Sequence, residues 1–263
     1  MKDTRRFGRL TTRAQGLSIW LWARERRWIL FVAASLAALA TFLELSDELV
    51  EDEELAAIDI HILRYVATLR RPWLTMHAID VTALGSDTLL GLVMLAAALP
   101  LLRMRDYAGA VQLVVGTSCA GVWTLLTKHY FSRARPDVVE RLMDVHGYSF
   151  PSGHSAGASA LYVTLAIVVG RHVRTMQGRL LLLAGTGSLA IAIGFTRVYL
   201  GVHYPSDVAS GLAFGAGWAL LLTAPFEWRR GRRGELAGRT VLDAETDAAE
   251  TDATEATERS RAS

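Results

Sequence analysis

The chain of 263 residues contains a single cysteine, Cys119, so it cannot form an internal disulfide. Cys119 has no cysteine or histidine partner at metal-ligand spacing, and we interpret it as a small buried hydrophobic residue. The sequence also lacks a fixed-period repeat and any recognisable nucleic-acid-binding fold, so we expect no nucleic-acid partner. The net charge of +2 is small, but the first 28 residues are basic and about the last 30 lean acidic.

Hydrophobic residues are abundant, at 51% of the chain, and they are clustered rather than spread. Clusters of 17–25 mostly apolar residues are typical of membrane-spanning helices. The sequence predicts six of them, which identifies an all-α, six-helix membrane bundle. The predicted segments are Trp28–Leu45, Leu84–Leu102, Gly109–Thr127, Ser155–Gly170, Leu180–Thr196 and Asp207–Pro225. Glycines such as Gly116, Gly121, Gly157, Gly211 and Gly215 predict close helix–helix approach.

Arginine clusters predict the orientation of these segments. When the segments alternate in direction, four clusters fall on one side, which the positive-inside rule identifies as cytoplasmic. The clusters lie before segment one, after segment two, between segments four and five, and after segment six. Both termini are then cytoplasmic, and the loops around residues 128–154 and 197–207 face the outside.

The first outer loop contains cationic side chains and a helix start. Lys128 ends segment three, Arg135-Pro136 follows it, and Pro151-Ser152-Gly153-His154 immediately precedes segment four. Helix N-termini offer free N–H groups to anions, Gly153 permits close approach, and the Ser152 hydroxyl is a further donor. Arginine and lysine match phosphate oxygens. Arg133 belongs to no motif, and we interpret it as a solvent- or headgroup-facing charge.

The second outer loop supplies a further cation and a histidine–carboxylate pair. Arg197 ends segment five, and His203 and Asp207 are four residues apart at the start of segment six. This spacing places the carboxylate near one ring nitrogen and leaves the other nitrogen free to act as a nucleophile. No residue spacing supports a metal site, so we expect no metal or other cofactor.

Together the three motifs resemble the type-2 phosphatidic acid phosphatase superfamily, which shares its site with vanadium haloperoxidases. The family pattern is Lys, six residues, Arg-Pro; then Pro-Ser-Gly-His; then Ser-Arg, five residues, His, three residues, Asp. This chain departs from it only at Thr196, which replaces the serine but keeps the hydroxyl.

The resemblance implies a metal-independent phosphatase and a role for each matching residue. It implies that His203 is the nucleophile, that Asp207 orients it, and that His154 protonates the leaving oxygen. The implied phosphate-binding residues are Lys128, Arg135, Ser152, Gly153 and Arg197. The implied pathway is a phosphohistidine intermediate that water then hydrolyses.

We therefore expect an integral membrane lipid phosphatase with an extracytoplasmic site. The first expected substrate is undecaprenyl pyrophosphate, and phosphatidic acid and phosphatidylglycerol phosphate are alternatives. A lipid phosphotransferase would share every motif residue, whereas a soluble haloperoxidase or a non-enzymatic lipid-binding protein fits the sequence less well. The expected domains are a basic cytoplasmic arm at 1–27, a membrane-embedded phosphatase domain at 28–228, and a disordered cytoplasmic tail at 229–263.

Overall fold

The structure is a computed structural model that describes residues 27–51 and 53–261. The described residues form helices joined by loops. The helices are α1 (Arg27–Glu51), α2 (Glu53–Thr68), α3 (Pro72–Ala83), α4 (Asp87–Arg103), α5 (Tyr107–Phe131), α6 (Gly153–Gly170), α7 (Met176–Tyr199) and α8 (Pro205–Arg261). Apart from Arg27, the basic arm expected at residues 1–27 lies outside the described residues.

Within residues 27–51 and 53–261, five helices are long and apolar enough to cross a membrane, and the count is six when a bent pair is taken as one span. The five spans are Arg27–Glu48, Tyr107–Phe131, Gly153–Gly170, Met176–Tyr199 and Pro205–Arg233. The bent pair is α3 and α4, whose axes differ by 53°. The predicted all-α membrane bundle is confirmed, but segment two is not the continuous helix Leu84–Leu102. The chain breaks at residues 84–86 because the Ser86 hydroxyl caps a new helix by accepting a bond from Leu89 N.

Side-chain caps also start the helices that surround the site. The Asp106 carboxylate accepts a bond from Gly109 N at the start of α5, and Ser152 Oγ accepts one from Ser155 N at the start of α6. Thr175 caps α7 in the same way. Each cap satisfies an N–H group that has no acceptor within its own helix. The motif residue Ser152 therefore determines where α6 begins.

The described chain divides into two compact units. One comprises residues 31–223 and contains both loops that carry the motifs. The other comprises the described residues 27–30 and 224–261, in which Arg27 Nη2 lies 3.1 Å from Glu227 Oε2. The sequence predicts a disordered tail from residue 229, whereas the structure continues α8 to Arg261. Alanine, glutamate and arginine, which are common in this segment, have high helix propensity, so its composition is compatible with a helix.

Close packing of α8 on α6 depends on two glycines. A Cβ at Gly211 would lie 2.7 Å from the carbonyl oxygen of Ser152, and a Cβ at Gly215 would lie 2.2 Å from that of Ala156. Neither position accommodates a side chain without movement of the α6 backbone. The prediction of close helix approach is confirmed at these two glycines but is wrong at Gly121, where a Cβ would meet nothing within 4 Å.

The two ends of the bundle differ in chemistry. At one end, Arg171 donates to Gln112, and His172 lies 3.1 Å from the Asp106 carboxylate. The opposite end is formed by the C-termini of α5 and α7 and the N-termini of α6 and α8. All eight residues expected at the phosphate site lie at this second end, on or beside these helix termini.

Candidate active site

The N-termini of α6 and α8 meet at the centre of the site. Ser152 N donates to the carbonyl oxygen of Asp207 over 3.0 Å, so the two helix starts are joined by a backbone hydrogen bond. The glycine-mediated packing of α8 on α6 brings these termini together. As a result, Gly153 and His154 in the first turn of α6 lie beside the pair formed by His203 and Asp207.

His203 lies between a carboxylate and a guanidinium. Its Nδ1 is 3.3 Å from Asp207 Oδ2, and its Nε2 is 3.1 Å from an Nη of Arg135. Arginine has no acceptor, so it must donate to Nε2, which leaves the ring proton on Nδ1 facing Asp207. This assignment of the tautomer places the lone pair of Nε2 on the cationic side of the site.

Burial keeps the His203 ring neutral. The residue is 2% exposed, and desolvation lowers its pKa to about 4, with Arg135 and Lys128 acting in the same direction. The Asp207 carboxylate raises the pKa in part. His203 is therefore uncharged at neutral pH, which is the state that a nitrogen nucleophile requires.

Three cationic side chains, those of Lys128, Arg135 and Arg197, lie around His154. Lys128 Nζ donates to the carbonyl oxygens of Tyr148 and Ser149, and a Cβ at Gly153 would lie 3.8 Å from Lys128 Cε. Arg135 is held by the carbonyl oxygens of His146, Gly147 and Val202. These backbone acceptors hold Lys128 and Arg135 in place without neutralising their charges. Their positive charges therefore remain available to an anion.

Arg197 is the third cation and is 2% exposed. Its Nη1 donates to Thr82 Oγ1 over 2.9 Å, and its buried Nε has no hydrogen-bond partner among the described residues. A buried donor without a partner is costly. An anionic oxygen bound in the site is the type of acceptor that would relieve this cost.

The remaining motif residues complete the cluster. His154 interacts electrostatically with Arg197, His203, Lys128 and Arg135, so all these side chains act on the same small region. Ser152 Oγ accepts bonds from both the backbone N and the hydroxyl of Ser155, and neither bond uses its own proton. The Ser152 hydroxyl therefore retains a proton to donate.

Space for the His154 ring comes from the break between α3 and α4. A Cβ at Gly85 would lie 3.2 Å from His154 Cδ2 and 2.4 Å from Ile193 Cγ2. Gly85 lies in the loop that separates the two half-spans. The bend in this span therefore makes room beside a residue of the site.

Four residues around Asp207 were not expected from the motifs. Ser149 Oγ donates to Asp207 Oδ2 and also lies 3.3 Å from His203 Nδ1. Arg133 donates to Asp207 Oδ1 over 2.6 Å and to Asp59 over 2.9 Å, and Ser206 contacts both Arg133 and Asp59. The interpretation of Arg133 as a solvent- or headgroup-facing charge is wrong, because two buried carboxylates hold it. The sequence contained one signal for this network. Asp59 is a carboxylate between apolar residues, and a buried acid requires a partner.

The chemistry of the groups at the centre of the site suits an anion. Among the residues that the structure describes, no three or more histidine, cysteine, aspartate or glutamate side chains are grouped closely enough to hold a metal ion. The groups that converge on the centre are instead cations, helix N–H groups and two imidazoles. This set matches a tetrahedral oxyanion rather than a metal ion.

Comparison with known proteins identifies the family. The model of the PAP2 superfamily matches residues 109–231. Phosphatidylglycerophosphatase B of Bacillus subtilis (strain 168) is 31% identical over 160 residues, which cover 60% of this chain and 77% of that protein. The chain belongs to the PAP2 superfamily. The matched region contains every residue expected at the phosphate site.

Two further comparisons agree with this assignment. The putative undecaprenyl-diphosphatase YbjG of Escherichia coli (strain K12) is 30% identical over 165 residues, covering 60% of this chain and 75% of that protein. The crystal structure of a transmembrane PAP2-type phosphatidylglycerolphosphate phosphatase from Bacillus subtilis matches with a TM-score of 0.69 and 24% identity. That match covers 73% of this chain and 96% of the other, and it shows a shared fold. The protein is an integral membrane lipid phosphatase of the PAP2 superfamily.

Proposed function

We propose that this PAP2 phosphatase removes the terminal phosphate of a membrane lipid through a phosphohistidine intermediate on His203. The observation that supports this most strongly is the fixed orientation of the neutral His203 ring. Its protonated Nδ1 faces Asp207, and the lone pair of Nε2 faces the cationic group of Arg135. A nucleophile oriented in this way is ready to attack phosphorus once a phosphate displaces the bond from Arg135.

The first chemical step transfers the phosphoryl group to His203. Lys128, Arg135 and Arg197 bind the phosphoryl oxygens, together with the Ser152 hydroxyl and the N–H groups at the start of α6. Nε2 attacks phosphorus while the bond from phosphorus to the lipid oxygen breaks. His154 is charged by the phosphate dianion bound beside it and gives its proton to the lipid oxygen. The imidazole becomes cationic, and the Asp207 carboxylate stabilises this charge.

The second step hydrolyses the intermediate. His154, now neutral, accepts a proton from water, and the oxygen of that water attacks phosphorus as the bond to Nε2 breaks. Phosphate leaves and both histidines return to their initial protonation states. In both steps the side chains supply position and positive charge rather than metal chemistry, which agrees with the loose, highly charged transition states of phosphoryl transfer.

We place this site at the outer face of the membrane. The arginines Arg103, Arg105, Arg171, Arg174 and Arg179 lie at the end of the bundle opposite the site. Because cytoplasmic loops carry an excess of arginine and lysine, this end is the cytoplasmic one in our proposal. An alkaline phosphatase fusion near residue 140 is then active, and a fusion after Arg233 is inactive. The reverse pattern would contradict the orientation.

The proposed substrates are lipids whose terminal phosphate lies at the membrane interface. Undecaprenyl pyrophosphate is the first candidate, and the match to YbjG supports it. Phosphatidylglycerol phosphate is the second candidate, and the match to phosphatidylglycerophosphatase B supports it. In both lipids the terminal phosphoryl group is an exposed dianion, which suits a site with three cationic side chains.

The test uses purified protein in detergent with EDTA present. Phosphate release is measured from undecaprenyl pyrophosphate, phosphatidylglycerol phosphate and phosphatidic acid, with His203→Ala in parallel. We expect release that the substitution abolishes, and the ranking of kcat/KM identifies the substrate. Equal release by His203→Ala would contradict the proposed nucleophile. Failure to release phosphate, together with transfer of the phosphoryl group to an added lipid or sugar acceptor, would instead indicate a phosphotransferase.

A further inference from the structure

Asp59 is a buried carboxylate on α2, outside the region that the family model matches. The residue is 1% exposed, and it accepts three hydrogen bonds. Ser206 N donates to Oδ1 over 2.9 Å, and the Ser206 hydroxyl and Arg133 Nη2 donate to Oδ2. Ser206 is the second residue of α8, so a carboxylate from another helix caps the helix that carries Asp207.

Arg133 joins this carboxylate to the active site. Its Nη2 binds Asp59, whereas its Nη1 binds Ser206 Oγ over 2.8 Å and Asp207 Oδ1 over 2.6 Å. The guanidinium carbon lies 4.1 Å from the centre of the Tyr204 ring, so the plane of the group is also supported by stacking. Arg133 is therefore fixed between two acids and does not face the position of the phosphate.

The contact with Arg133 determines which oxygen of Asp207 faces His203. Because Arg133 holds Oδ1, the other oxygen, Oδ2, is directed to His203 Nδ1, the Ser149 hydroxyl and Tyr204 N. A rotation of the carboxylate would break all of these contacts at once. The orientation of the His203 ring thus depends on the position of a guanidinium that never touches it.

Asp59 also balances the charge of this guanidinium. With both carboxylates present, the positive charge of Arg133 is shared between Asp59 and Asp207. Without Asp59, the whole charge would act on Asp207, and its ability to stabilise a cationic His203 would decrease. Arg133 would also lose the partner that holds it away from an anionic substrate.

We propose that Asp59 is a positioning residue that acts through Arg133 to hold Asp207 in its working orientation. The inference rests on the proposed roles of His203 and Asp207. It extends the functional part of the chain to α2, about 70 residues before the first motif residue.

The first test is Asp59→Asn in the full-length protein in detergent, with Glu53→Gln as the matched control. The amide oxygen of asparagine still accepts the bond from Ser206 N, but the residue no longer balances the charge of Arg133. We expect kcat to fall about 10- to 100-fold with little change in KM, as is typical when a group supporting a catalytic side chain is lost. Glu53 is exposed on the same helix, so its substitution leaves both parameters unchanged.

The second test separates positioning from a purely structural role. Arg133→Gln and the double variant Asp59→Asn/Arg133→Gln are measured beside the single variant. If Asp59 acts through Arg133, the double variant is no slower than Arg133→Gln alone. Additive losses would show that Asp59 acts independently of Arg133, and unchanged kcat in Asp59→Asn would also overturn the proposal.

A substitute variant keeps the proposal testable if Asp59→Asn is not recovered in folded form. Ser206→Ala removes the hydroxyl between Asp59 and Arg133 and retains all the charges. We expect a smaller fall in kcat and the same non-additivity with Arg133→Gln, and an unchanged kcat would contradict the proposal. His203→Ala is measured in parallel. Activity in that variant would refute the proposed nucleophile, whereas an inactive His203→Ala with fully active Asp59→Asn and Ser206→Ala would refute only this inference.

Discussion

Acidification from pH 7 to 4.5 tests the electrostatics of His203 through protein stability. In the folded protein, burial lowers the pKa of His203 to about 4, whereas the ordinary value is 6.5. Between these values the unfolded chain binds a proton that the folded protein does not bind. Stability therefore decreases as the pH falls through 6.5, and this loss is complete near pH 4.

The magnitude follows from the two pKa values. At roughly 1.4 kcal/mol for each pH unit, protonation of His203 in the unfolded chain removes about 2 to 3 kcal/mol of stability by pH 4.5. This is a substantial part of the stability of a typical domain, which is about 5–15 kcal/mol. The loss of stability in acid is specific to a buried neutral histidine. A histidine that the fold stabilises as a cation would instead make the protein more stable as the pH falls.

The assay is thermal unfolding in detergent at several pH values for the wild type, His203→Gln and His61→Gln. His61 is exposed on α2, so its substitution is the matched control. The wild type and the control lose stability in parallel on acidification, and His203→Gln loses less. Two results would refute the reasoning. In one, His203→Gln loses as much stability on acidification as the wild type does; in the other, the wild type loses less stability than His203→Gln.

Three further substitutions test the packing and charge of the site. Gly215→Val forces α8 away from α6 and lowers stability by about 1–3 kcal/mol or more in thermal unfolding, whereas Gly121→Val in open space has little effect. Arg197→Lys removes the planar fork proposed to bind phosphate oxygens, so kcat/KM of the folded protein falls by about 100-fold; wild-type kcat/KM would contradict a role in phosphate binding. Gly85→Ala presses on the His154 ring and lowers kcat at equal expression, and normal kcat would show that the break in the span is not needed there.

Much of the site was predictable because phosphate chemistry restricts both residue type and spacing. Lys128, Arg135, His154 and His203 are polar residues at the ends of apolar segments, where membrane helices place functional groups. Their convergence follows from alternating helix directions, which place the C-termini of α5 and α7 beside the N-termini of α6 and α8. The roles assigned to these residues remain predictions that the proposed experiments test.

The network behind Asp207 was less predictable from local patterns. Asp59 and Arg133 are 74 residues apart, and only tertiary packing brings them together. A charge at a helix end usually faces solvent or lipid headgroups, so the pattern around Arg133 favoured the wrong environment. The break in the second span was also not predicted. Hydropathy averaged along the sequence shows how apolar residues 84–86 are, but it does not show that Ser86 caps a new helix.

The most direct test of the proposed mechanism is to trap phosphate on the nucleophile. Purified protein is mixed with phosphorus-labelled lipid substrate and quenched within milliseconds into alkaline denaturant, since phosphohistidine is stable in base and labile in acid. We expect label on the peptide that contains His203, at a level that rises and decays with turnover and is absent in His203→Ala. Rapid phosphate release without label on that peptide, or label that persists in His203→Ala, would contradict the phosphohistidine mechanism.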